Sequence, residues 1–167
     1  MANLTHLALL KKGIEDWNQW RQNHPEIEPD LEGVDLQGAQ LARINMSRAH
    51  VKGANLRGAN LMESLLNAAD FNGADLEGAN LGQADCNATS FRQANLFGVD
   101  LRFALLTNAD LTEADLQEAQ LLGAELTNTV LHSVDFSNAN LHDVDFSKAH
   151  AEHARFINAY FKEQKTI

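Results

Sequence analysis

Ala54-Asn55-Leu56-Arg57-Gly58, taken up again by Ala74-Asp75-Leu76-Glu77-Gly78 and Ala114-Asp115-Leu116-Gln117-Glu118, decides the fold. Each stretch runs Ala, then Asp or Asn, then Leu, then two freer positions. Outward from it in both directions, a large apolar residue recurs every fifth position from Leu31 to Phe161, and 23 of these 27 sites are Leu or Phe. Met46, Val51, Cys86 and Ala151 are the exceptions. Two positions earlier, 18 of 26 sites from Val34 to Ala159 are Ala, and the other eight are small or β-branched. No insertion breaks the register, which makes this an internal repeat.

A period of five suits neither a helix, with its period near 3.6, nor a strand, with its period of 2. Two inward positions spaced two apart describe a short extended piece followed by a turn. The second residue after the large site is Gly at 33, 38, 53, 58, 73, 78, 98 and 123, and Asn at 108, 128, 138 and 158. Both residue types accept the positive φ that the third position of a type II turn requires. Arg43, Arg48, Glu63 and Lys148 would be strained there, so a different turn type is expected at those corners.

The residue before the large site is Asp or Asn at 16 of 27 positions, and such side chains accept hydrogen bonds from turn backbone while facing outward. This unit closely resembles the pentapeptide-repeat family, in register from residue 31 to residue 161 of 167. The resemblance implies an all-β solenoid: a right-handed quadrilateral β-helix with four pentads per coil. Leu, Phe and Ala would fill its narrow interior, and residues 31–161 would make about six to seven coils.

Residues 1–30 lack the repeat and read as a helical cap, with Asn3 or Thr5 starting a first helix and Gly13 ending it. In a second helix Ile14, Trp17 and Trp20 share one face. They are expected to close the first coil, which would otherwise expose apolar side chains and an unpaired strand edge. Similar starts with paired tryptophans belong to cyanobacterial members of the family, which implies a cyanobacterial origin. At the other end Phe156, Tyr160 and Phe161 are expected to close a partial last coil, with residues 162–167 as a tail. The Ala-rich run from 149 to 159 has a helix as its alternative. No signal peptide or membrane-spanning run is visible, and Cys86 sits at an inward site without a partner. A cytoplasmic protein is expected.

The chemistry is thin. His150 and His153 form an HxxH that crosses a corner of the coil, and no further ligand completes a tetrahedral metal set. The many Asp residues repeat with the scaffold rather than pairing for acid–base work. No phosphate loop, nucleophile triad or insertion long enough for a pocket appears, so no catalysis, cofactor or metal is expected. Thirteen Lys and Arg against 23 Asp and Glu give a net charge of −10 and a pI near 5.0, which disfavours nucleic acid as a direct partner. Two functions remain: a scaffold that binds a protein partner or a second copy, and the alternative implied by the family, an acidic DNA mimic that binds a gyrase-type topoisomerase.

If residues twenty apart stack in columns, Leu65 and Leu105 replace Asp or Asn in one outward column, and Met62 and Leu122 share a neighbouring one. Phe103 lies beside them, and Phe97 falls on the adjoining edge. Clustered exposed apolar residues mark contacts. Met62, Leu65, Phe97, Phe103, Leu105 and Leu122 are therefore the expected protein-binding patch.

Overall fold

The structure, a computed structural model, describes residues 2–161. Parallel bridges join outward residues to those twenty positions on, from Asp30↔His50 to Asn140↔Tyr160, with Glu125 and Asp145 the exception. Four pentads therefore close one coil, and the outward residues form four faces. Face 1 carries Asp30, His50 and Asp70 onward, face 2 Asp35, Asn55 and Asp75, face 3 Gln40, Asn60 and Asn80, and face 4 Asn45, Leu65, Asp85, Leu105 and Glu125.

Backbone pairing explains the regularity. In each pentad the large residue's N–H, and the N–H two residues later, donate to the next coil, as in Leu56 to Asp75 (2.7 Å) and Gly58 to Glu77 (2.8 Å). The outward residue donates back, as Asn55 does to Val34 (2.9 Å), and each turn closes on itself, as Ala59 does on Leu56 (2.9 Å). This pattern satisfies most backbone groups without a long strand. It also overrides residue preference at the corners: Arg43, Arg48 and Glu63 keep the left-handed φ of 62°, 60° and 57° rather than adopting another turn. The N–H at each of these positions is needed by the next coil, as in Glu63 to Gly82 (2.9 Å). A lost ladder bond and a broken coil outweigh the ~1–2 kcal/mol of left-handed strain. Lys148 alone among the four leaves that conformation, in the coil where face 4 makes no bridge between Glu125 and Asp145.

The interior is a column of Leu and Phe interleaved with Ala, almost all of it inaccessible to solvent from residue 41 to residue 141. Phe71 stacks on Phe91, and Phe136 on Phe156, both at 5.3 Å. Cys86 is fully buried, and burial pushes its thiol pKa up. Three Ala sites hold hydroxyls. Thr89 and Thr129 donate to the carbonyls of Leu66 (2.7 Å) and Leu106 (2.8 Å), whereas the Ser64 hydroxyl finds no partner.

Two helices precede the solenoid. Asn3 accepts from the N–H groups of Thr5 and His6 to start α1 (Leu4–Leu10), and Gly13, at φ 126°, starts α2 (Ile14–Asn23). Glu15 and Asp16 in the first turn of α2 and Arg21 in its last suit the helix dipole. At the far end the coil continues through His150, Arg155 and Tyr160, each bridged to the coil before, so the run from 149 to 159 is not helical. The reason is register: Ala149, Ala154 and Ala159 are the repeat's own inward residues, and a helix would forfeit their ladder.

Candidate interaction surface

Every one of the 16 Asp or Asn residues in the outward position accepts, through Oδ1, the backbone N–H two residues on. That N–H opens the corner turn and points away from the ladder. An Asx side chain is the local group that can take it. The Asp and Asn ladders are therefore structural, and several join adjacent coils as well, as Asn55 does with Asp35 (2.9 Å) and Asn95 with Asp75 (3.0 Å).

Leu65 and Leu105 give up that bond. Among the described residues nothing in the chain accepts the N–H of Asn67 or Thr107, and the two leucines lie 43% and 39% exposed on face 4. Phe103, at the corner between faces 3 and 4, is exposed too and holds a left-handed φ of 59°. Its ring lies across Gly123, where a Cβ would come within 2.7 Å of it. Met62 and Leu122 stand half-buried on the same corner. Phe97 is half-buried on the other side of face 3, so five of the six expected patch residues come together and it does not.

Between Met62 and Phe103 the corner dips into a hollow of about 230 Å³, lined also by Asn80, Gly82, Gln83, Asp100 and Arg102. Gly82 keeps it open, since a Cβ there would stand 3.1 Å from the Asn80 Oδ1. Beside it Arg102 donates to Asp100 (2.9 Å and 2.5 Å). Burial alone would raise the Asp100 pKa, and the Arg102 bonds outweigh it to hold the carboxyl below its usual range. Asp85 and Glu125, in the column of Leu65 and Leu105, carry no role in the sequence reading. The twenty-residue columns that align Leu65 with Leu105 contain both acids, and their charge is the signal.

The expected end residues are also placed. Trp17 is fully buried and donates through Nε1 to the Asn45 carbonyl (2.8 Å), while Ile14 and Trp20 pack half-buried against the core. Phe146, Phe156 and Phe161 cluster with ring centres 5.6–6.3 Å apart. Tyr160 points outward, 66% exposed, because it occupies the outward position of its pentad. Residues 162–167 lie outside the described residues. Among those described, no group of His, Cys, Asp and Glu is placed to hold a metal ion, and no helix is long and apolar enough to cross a membrane.

The sequence matches the family described as pentapeptide repeats, in 8 copies, over residues 30–67, 69–102, 94–132 and 124–162. The chain belongs to the pentapeptide-repeat family. Solved structures similar to it include HetL, a pentapeptide-repeat protein involved in heterocyst differentiation regulation from the cyanobacterium Nostoc sp. strain PCC 7120. That match has 27% identity over 80% of this chain and 68% of HetL, with a TM-score of 0.44. Another Nostoc PCC 7120 pentapeptide-repeat protein, alr5209, is 24% identical over 83% of this chain and 93% of its own, with a TM-score of 0.44. QnrB1, a plasmid-mediated fluoroquinolone resistance protein, is 17% identical over 77% of each chain, with a TM-score of 0.45. No curated protein matches the sequence.

Proposed function

We propose that this pentapeptide-repeat protein is a non-catalytic scaffold that binds another protein side-on, through Met62, Leu65, Phe103, Leu105 and Leu122. The observation that carries this reading is the exposure of Leu65 and Leu105 at positions where Asp or Asn would accept the corner N–H. A hydrogen bond of this kind contributes about 0.5–1.5 kcal/mol. Two leucines forgo it and stand 43% and 39% exposed on one face, two coils apart. Residues that break a fold's own rule without a structural return belong to function. The corner hollow and the half-buried Met62 and Leu122 extend the same surface.

In this reading α1 and α2 are the N-terminal cap of a solenoid of about six to seven coils. The contacts of Trp17, Asn18 and Arg21 with the first coil support it. Phe156 and Phe161 shield the other end, with Phe146 beside them.

The test is the triple variant Leu65→Asp, Phe103→Ser, Leu105→Asn. Its circular dichroism should match the parent, and its melting temperature should equal or exceed it, since Asp and Asn restore the turn bond. Associations seen by sedimentation and pull-down should be lost. A folded variant that keeps every association of the parent would remove this surface from the function.

A further inference from the structure

We infer that face 4 receives a cationic amphipathic helix of the partner, laid along the solenoid axis. This inference rests on the side-on scaffold reading and specifies its partner. Bridges place Leu65, Asp85, Leu105 and Glu125 on successive coils of one face. Consecutive residues therefore stand one strand spacing apart, ~4.8 Å, and the order is apolar, acidic, apolar, acidic. A helix presents one face every turn, ~5.4 Å. Over the three intervals the two repeats drift by only about 2 Å, within the reach of side chains. A helix with apolar and basic residues alternating turn by turn matches this face in both chemistry and spacing.

Strand addition is ruled out by the backbone. The N–H groups of Leu65, Asp85, Leu105 and Glu125 all donate to the preceding coil, and the carbonyls of Leu65, Asp85 and Leu105 accept from it. Recognition on this face must come from side chains. Among the described residues neither acid of the face has a cationic partner. Asp85 accepts only from the Asn67 side chain (2.5 Å) and the Asn87 N–H (3.1 Å), and Glu125 is exposed. The neighbouring acids Glu63 and Asp100, by contrast, are held by Arg43 (2.7 Å) and Arg102. A second copy fits poorly, because a two-fold contact centred on this face sets Asp85 and Glu125 against acids when the axis runs along the rod and against leucines when it runs across, and supplies neither with a cation. The hollow at Gly82, walled by Met62 and Phe103, is placed to take one apolar side chain from the flank of the helix.

The probe is a stapled helical peptide with two leucines separated by two turns and a lysine one turn after each. A companion carries glutamate for lysine. In amide NMR spectra of the full chain, the lysine peptide should shift Leu65, Gly82, Asp85, Leu105 and Glu125. The glutamate peptide should not. Asp85→Asn with Glu125→Gln should weaken binding about threefold to tenfold, as two exposed ion pairs allow. Leu65→Asn with Leu105→Asn should abolish it while leaving the spectrum folded. The inference is overturned if the lysine peptide fails to bind at millimolar concentration. It is equally overturned if the shifts spread over the acidic ladders of faces 1 and 2, or if sedimentation shows a dimer that the triple variant dissolves. If the triple variant loses the parent's associations while the peptide fails, the scaffold reading stands and the cationic helix alone is removed.

Discussion

At the residue scale, the solenoid shows what one side chain is for by what happens when it is missing. The fully buried Ser64 hydroxyl has no partner, whereas Thr89 and Thr129, at equivalent sites, reach carbonyls. An unsatisfied buried hydroxyl costs about 1–3 kcal/mol, so Ser64→Ala, which restores the repeat's own residue, should stabilise the fold by about 1 kcal/mol. For a chain of this length that is a rise in melting temperature of ~2–4 °C. Calorimetry checks it, and a fall in melting temperature would mean that the hydroxyl is satisfied in solution.

At the element scale, the proposed capping role rests on hydrogen bonds from the N-terminal helices to the first coil. Where an earlier coil would pair with face 4, Trp17 donates to the Asn45 carbonyl and Arg21 to that of Ser47 (2.9 Å). The Asn18 side chain takes the Asn45 N–H (2.8 Å) and gives to the Arg43 carbonyl (2.9 Å). On face 1, Asn3 N–H donates to the Asp30 carbonyl (3.1 Å), and the Asp30 N–H donates to His6 Nδ1 (3.0 Å). These bonds, side-chain ones and the Asn3 backbone N–H, meet polar groups that an open strand edge would leave unpaired. Removing Met1–His24 should leave these groups and the core residues Leu31 and Val34 open, and promote end-to-end association. Light scattering against concentration would show this, and a truncated chain that stays monomeric with the parent's melting behaviour would refute the capping role. Trp17→Phe, which keeps the ring and loses the Nε1–H, should cost about 1–2 kcal/mol.

At the scale of the whole molecule, charge sets the expectation. The bridges from Asp30 to Tyr160 span a rod of ~31 Å, over which a net charge of −10 gives roughly one charge per 3 Å. Duplex DNA carries about one per 1.7 Å. The acidic columns are interrupted too, as face 1 is by His50, Ser90, Val130 and His150. Arginines neutralise others, as Arg57 does Glu77 and Asp75, and Arg92 does Asp110. A gyrase supercoiling assay, with and without quinolone, should therefore show neither inhibition nor protection at micromolar protein. Inhibition that survives the Leu65, Phe103 and Leu105 substitutions would favour the DNA-mimic function over the scaffold.

Periodicity by itself determined which residues go in. The five-residue spacing of Leu, Phe and Ala names the core of this chain from Leu31 onward, because an inward side chain depends only on its place within the pentad. It also marked the leucines of face 4, since an apolar residue at a polar position is visible in one dimension, while the three-residue spacing of Ile14, Trp17 and Trp20 marked a helix face. The left-handed corners at Arg43, Arg48 and Glu63 could not be read, because local preference argues against them and the ladder between coils imposes them. The Ala-rich run of residues 149–159 left a helix open as the alternative to a last coil, and the coil forms because register against the preceding coil, not propensity, decides a solenoid's last turn. The hollow over Gly82 is built by side chains of neighbouring coils, whose columns the sequence can align but whose packing it cannot show. Closure of the coil brings them together, and only the tertiary structure supplies it.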